Sequence, residues 1–381
     1  MTTVAAPDPA TSQGEIGSAE PHFVLSRPHG TVSGHGVADT TTDPDAAVAL
    51  LRSGRARAVV GALPFDVREP AALTVPHRLD VTASPLPVSR RPAPLPAVAI
   101  RRRLPDPADH ARRVADTVTL LRESSLRKVV LARAVELDAD APLDHRVILD
   151  RLVAADPTGN GFSVDLGAAG AAHRGVRLVG SSPEVLIRRR GNEVTCHPLA
   201  GSAPRDADPD TDRELGRTLA NSAKDLTEHA YVIESLRAAL DPLCTDVDAP
   251  ARPILTSTPQ LWHLGTPIHA TLRDPAVTAL ELALAVHPTP AVCGTPTAEA
   301  MRTILAIEGS RGFYAGAVGW CDESGDGEWM VTIRCAQISA DGLAVTAHAG
   351  GGIVAASDPS SELAETTTKF GTIMAALGVR R

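Results

Sequence analysis

The stretch from Tyr314 to Lys369 constrains this chain more than any other. A Gly-Trp turn with an acidic loop, Val318-Gly319-Trp320-Cys321-Asp322, leads into Glu328 to Ala336. A second apolar run follows, Leu343 to Ala347, then a triple glycine, Gly350-Gly351-Gly352, and an acidic helix from Asp358 to Leu377. Two strands thus bring Arg334, a bare backbone loop and the start of a carboxylate-bearing helix together. That combination suits a small anion held through a divalent cation. Asp358 is the expected N-cap with Pro359 at N1. Glu362, Glu365 and Lys369 sit at i, i+3 and i+7 and share a face. Acids in a first turn also serve the helix dipole alone, so Glu365 has two readings at this point.

Other segments supply what this end lacks. Leu126 to Leu137 alternates as a strand, with Lys128, Val130, Ala132 and Ala134 on one face. Lys128 is either a snorkelling lysine at a strand end or a desolvated amine with a lowered pKa, able to act as a base. Glu184 lies where the turn Ser181-Ser182-Pro183 enters an apolar strand; it either pairs with Arg188 or keeps its proton and acts as an acid. Cys196 to Ala203 reads as a strand ending in a small-residue loop that lets backbone N–H groups approach a ligand. Asp210 to Leu243 is mostly helix, with Leu226, His229, Val232, Ile233, Leu236 and Leu240 on one arc. Asp225 and Glu228 fall within or beside that arc. They either pair internally with Lys224 or an arginine, or Glu228 points into a site and binds a cation.

Residues 22–100 show short apolar runs, with strands at Phe23-Val24-Leu25, Thr31 to Val37 and Ala58 to Leu63, a helix at Asp45 to Leu51 and an extended Pro85 to Pro96. No cluster of titratable residues marks this part, which reads as scaffold distant from any ligand. Helices are expected at 106–124, 143–154, 276–286 and 298–308, and strands at 162–166, 176–180 and 260–264.

Composition excludes several classes. The formal charge is −8 and the Arg101–Arg103 and Arg188–Arg190 runs are short and isolated, so nucleic acid is not the partner. The five cysteines form no CxxC pair and read as reduced cytosolic thiols. Residues 1–20 have no basic start followed by an apolar core and read as a disordered tail, not a signal peptide. No apolar stretch reaches transmembrane length. There is no Walker loop and no dinucleotide fingerprint.

Taken in order, Lys128-Val129-Val130-Leu131-Ala132-Arg133, Ser182-Pro183-Glu184, Pro198 to Ala203, Glu228-His229, His287 to Ala291, Gly316 to Trp320, Ile333 to Ala336 and Glu362-x-x-Glu365-Thr366 resemble the chorismate-utilising enzymes. Among their branches the isochorismate synthases are the most similar. The resemblance implies an α+β fold of two antiparallel sheets packed face to face with helices outside. It implies one domain over residues 21–381, with 21–100 a scaffold part and 101–381 the catalytic core. It implies Mg²⁺, no organic cofactor, a cytoplasmic monomer, and chorismate as substrate. Carried over by position, Lys128 is the base that activates water for attack at C2, and Glu184 the acid that protonates the departing C4 hydroxyl. Glu228 and Glu365 are the metal ligands, with Asp225, His229 and Glu362 behind them. Gly201, Ser202, His263, Ala291, Tyr314, Arg334, Gly350, Gly351, Gly352 and Lys369 line the substrate. Aminodeoxychorismate synthases carry a lysine where Ala200 stands, and anthranilate synthases lack the lysine of position 128. Salicylate synthases, the nearest rival, differ around Gly319-Trp320 and Glu328-Trp329 and tend to have threonine where Ala291 stands.

Overall fold

The computed structural model describes residues 20–89 and 93–379. The tail expected at 1–20 lies outside them except for Glu20, as does part of the Pro85–Pro96 connection.

All strand pairings are antiparallel. One limb of the main sheet runs Val98–Leu104, Lys128–Ala139, Ala344–Ile353, Cys335–Ile338, Arg177–Gly180, Gly161–Asp165, Phe23–Arg27 and Gly30–Thr41, in order of pairing. Ala72–Thr82 pairs with Gly30–Thr41 and with Ala58–Leu63, and so joins this limb to the next. The second limb continues through Ala317–Asp322, Gly327–Val331, Val185–Arg190, Glu193–His197, Ile268–Leu272 and Cys244–Asp248. The two limbs close on one core: Phe23, Leu25, Leu131 and Phe162 share it with Val60, Phe65, Ile187 and Trp329. A second core lies under the first limb, where Val135, Leu137, Val345 and Ala347 meet Ile148, Leu149, Phe370 and Ile373. The helices His145–Ala155 and Gly371–Leu377 cover that face, and Ala279–Val286 packs on the other limb.

The architecture is the α+β arrangement expected, with two refinements. The two sheets are limbs of one hydrogen-bonded ladder, and a separate three-stranded sheet, Leu199–Pro204, Leu261–Gly265 and Ile254–Ser257, stands beside them. The small-residue stretch Ala200–Ala203 is therefore strand, not loop. Gly350–Gly352 is strand as well, in register with Ala132, Leu131 and Val130. Two long expected helices are each interrupted. Ser222 ends Pro209–Asn221 and caps Ala223–Leu240, its side chain accepting from the Asp225 N–H. Phe370 separates Pro359–Lys369 from Gly371–Leu377. Asp358 does cap its helix, accepting from the Ser361 N–H.

The expected strand Glu328–Ala336 breaks at 332–334, and Tyr314 lies in a turn ahead of its strand. The break is where the function gathers. Arg334 sits at φ 54 and Ala315 at φ 60, both in the left-handed region that costs a non-glycine residue ~1–2 kcal/mol. The first part of the chain is not free of charge clusters either. Arg27 and His29 bond Glu328 at 3.1 and 3.0 Å, burying that carboxylate between the limbs.

Candidate active site

One cavity opens at the break. Its wall takes Glu184 and Arg334 from the limbs, Gly201, Ser202 and His263 from the small sheet, and Glu228 from the Ala223–Leu240 helix. Ala291, Tyr314, Gly350, Gly352, Glu365 and Lys369 complete it. Thus twelve of the residues singled out from sequence face one space, drawn from segments nearly two hundred residues apart.

Lys128 lies just behind this wall with no exposed surface, its Nζ 2.9 Å from Glu228 Oε1. The contact is an ion pair without regular hydrogen-bond geometry, so the ammonium protons have no fixed acceptor. Burial disfavours a lone charge there, and Glu228 compensates it. Lys224 does not pair with Glu228, as the internal-pair reading had it; it reaches Glu362 Oε1 at 2.7 Å. Glu362 also accepts from Ser357 Oγ at 2.7 Å, while its Oε2 is buried without a hydrogen-bond partner among the described residues. Lys369 Nζ is 2.5 Å from Glu365 Oε1 and donates to the Gly350 carbonyl at 3.0 Å. Ser202 Oγ donates to the same Glu365 oxygen at 2.9 Å.

Two glycines make this packing possible. A Cβ on Gly352 would lie 2.1 Å from Glu228 Oε1 and 2.9 Å from Lys128 Cε. Gly201 adopts φ +83, and a Cβ there would meet Asp225 Cβ at 3.0 Å. Asp225 and His229 sit behind the wall. His229 holds the small sheet, its ring nitrogens 3.1 Å from the Ala200 carbonyl and 2.7 Å from Thr266 Oγ1. Gly351 faces the other way, toward Glu362 Oε2 at 3.0 Å from its notional Cβ.

The electrostatics separate the acids. Burial pushes Glu184 up to about 7, against the opposing pull of the Leu199 N–H, Lys128, Arg334 and Lys369. Arg188, its expected partner, lies beside Glu328 instead, across the strand pair. Burial would raise Glu365 too, but Lys369 and Ser202 outweigh it and hold the carboxyl below its usual range. Glu362 is raised, by burial first and by Glu365 second. Burial lowers His263 well below the usual imidazole range.

Arg334 is the residue that asks for a ligand. It is buried, and its guanidinium makes no hydrogen bond or ion pair among the described residues. A buried cation without a partner is costly. A carboxylate entering the cavity would supply the partner.

His348 was missed from sequence. It lines the cavity and stacks on Tyr314 with ring centroids 4.9 Å apart. Strand alternation gives the missing signal, since His348, Gly350 and Gly352 share one face. All five cysteines are buried and free. Among the described residues no helix is long and apolar enough to cross a membrane. No three or more His, Cys, Asp or Glu side chains among them form a metal cluster, which leaves the two-carboxylate arrangement of Glu228 and Glu365 facing the cavity.

A sequence profile described as "Chorismate binding enzyme" matches residues 77–378. The chain is 55% identical to a "Putative isochorismate synthase MenF" of Mycobacterium tuberculosis, over 95% of this chain and 97% of that protein. It is 40% identical to "Isochorismate synthase DhbC" of Bacillus subtilis, over 94% of each chain. A crystal structure of a putative 2,3-dihydroxybenzoate-specific isochorismate synthase, DhbC from Bacillus anthracis, superposes with TM-score 0.87 at 36% identity, covering 95% of this chain and 97% of that one. With the profile matching over residues 77–378 and sequence and fold matching over 95% of the chain, the chain belongs to the family of chorismate-binding enzymes.

Proposed function

We propose that the protein is an isochorismate synthase, an isomerase that adds water at C2 of chorismate and expels the C4 hydroxyl. The observation that carries this is a buried lysine and a buried, raised glutamate on different elements around a cavity whose wall also holds Arg334, unpaired among the described residues. Arg334 binds a substrate carboxylate and exchanges an unmet charge for a bidentate pair. Lys128, held against Glu228 behind the cavity wall, is the group that takes a proton from the attacking water. Glu184, kept protonated by burial, gives its proton to the leaving hydroxyl, so that water departs instead of hydroxide. Gly350 and Gly352, on the cavity face of their strand, let the ring lie against the backbone where a side chain would intrude.

The residues fit Mg²⁺. Glu228 and Glu365 offer hard carboxylate oxygens on one cavity, and waters and substrate oxygens would complete a shell that Mg²⁺ rarely takes from protein alone. When bound, the ion supplies positive charge against the ring carboxylate. Lys224 with Glu362, and Lys369 with Glu365, keep the surrounding acids oriented. Ala291 in the wall, where salicylate synthases tend to carry threonine, favours a reaction that stops at isochorismate. The substrate partner is a small dicarboxylate; a cytoplasmic monomer remains the expected state.

Turnover of chorismate in H₂¹⁸O with Mg²⁺ tests the mechanism. Mass spectrometry is expected to find one ¹⁸O in each isochorismate formed, at C2. Unlabelled product would mean intramolecular transfer of the hydroxyl and would remove the role given to Lys128.

A further inference from the structure

A second chamber of about 360 Å³ adjoins the substrate cavity. The two share Pro183, Leu199 and His263. The chamber continues between Asp156, His197 and the strand end Thr256–Thr258, and reaches solvent at Thr158 and Ser257, both exposed. It lies on the flank of the acid. Pro183 directly precedes Glu184, and the Leu199 N–H donates to Glu184 Oε1 at 3.4 Å. Lys128 and Glu228 take no part in its wall.

Two buried ring nitrogens in this wall, His263 Nε2 and His197 Nε2, have no hydrogen-bond partner among the described residues. Water is the partner that removes their cost. The volume admits several waters at ~30 Å³ each, and the site is polar enough to hold them.

The proton balance of the proposed reaction needs such a supply. In each turnover Glu184 gives one proton to the departing hydroxyl, and Lys128 takes one from the attacking water. Turnover therefore ends with a carboxylate at 184 and an ammonium at 128. The next one requires the first to regain a proton and the second to lose one. Glu184 is 3% exposed, and among the described residues its carboxyl has one hydrogen-bond partner, the Leu199 N–H, whose proton is not transferable.

We propose that the second chamber is the solvent passage of the acid: the water formed at C4 leaves through it, and Glu184 recovers its proton from bulk solvent relayed by water held there against His263, while Lys128 returns to solvent the proton it took, which balances the cycle. This rests on the isochorismate synthase reading above.

Ser257→Trp narrows the passage at its exposed rim without touching the substrate cavity; Thr256→Phe narrows it further in and serves if the first variant folds poorly. With enzyme in excess over chorismate, the first turnover is expected within about twofold of wild type, because Glu184 begins protonated. In steady state, kcat is expected to fall about tenfold with kcat/KM unchanged, and a burst of one product per enzyme should appear. Unchanged kcat in both variants would overturn the proposal. A first turnover slowed as much as kcat would also overturn it, and would make the chamber the door of the substrate. A wild-type protein inert toward chorismate would sink the function reading itself, whereas active wild type with unaffected variants sinks this proposal alone.

Discussion

Replacing Gly352 by alanine tests the packing of the base against its carboxylate. The added Cβ would stand 2.1 Å from Glu228 Oε1 and 2.9 Å from Lys128 Cε. Ordinary contact begins at ~3.5 Å, so Glu228 must withdraw by more than an ångström. Gly352 sits in a strand paired with Val130, so backbone repositioning is resisted by the ladder. The carboxylate moves instead, and the 2.9 Å approach to Lys128 is lost. Overpacking of this kind costs about 1–3 kcal/mol of stability. A 1 Å misplacement of a reacting group costs on the order of 100-fold in rate. Urea unfolding and kcat/KM for chorismate measure the two effects separately. Gly351→Ala is the graded control: its Cβ would meet Glu362 Oε2 at 3.0 Å, so a smaller loss is expected. If Gly352→Ala kept kcat/KM within about threefold of wild type, the tight juxtaposition of residues 128, 228 and 352 would have no part in the chemistry.

Other outcomes follow from the same geometry. Burial pushes Glu184 up to about 7, so its acid form predominates below that pH in the free enzyme; kcat/KM is expected to fall as pH rises through about 7. Glu184→Gln should be slower by roughly 10²–10⁴ and lose that limb of the profile. Lys128→Met should fold yet convert no chorismate, checked by circular dichroism beside the activity assay. Arg334→Lys should raise KM more than it lowers kcat, since a lysine cannot make the bidentate contact. Lys224→Met leaves Glu362 buried and unpaired and is expected to cost about 2 kcal/mol in urea unfolding, less than a fully buried pair because Lys224 is 29% exposed.

Local sequence rules carried far on elements with strong periodicity. The Lys128 strand is legible from alternation, the Asp358 cap from its capping residues, and the Phe23 and Ala58 strands from short apolar runs between turn residues. They failed where tertiary pairing decides. Gly350–Gly352 has no strand propensity, yet ten consecutive residues from Ala344 pair with the Lys128 strand, and the ladder overrides composition. The break at 332–334 is invisible to alternation because Thr332 to Arg334 read as a continuing strand. That break turns Arg334 into the cavity. The roles of the acids could not be divided from sequence either. Glu362 and Glu365 share a helix face, but Lys224 takes one and Lys369 the other, and those lysines come from different helices. The charge cluster of Arg27, His29 and Glu328 escaped notice for the same reason, being assembled across roughly three hundred residues.

Product analysis after incubation of the purified protein with chorismate and Mg²⁺ is the most direct measurement. Isochorismate is expected as the sole new peak by chromatography, with no pyruvate released. Salicylate with an equal amount of pyruvate would contradict it, and so would chorismate left unchanged by a folded, Mg²⁺-supplied enzyme.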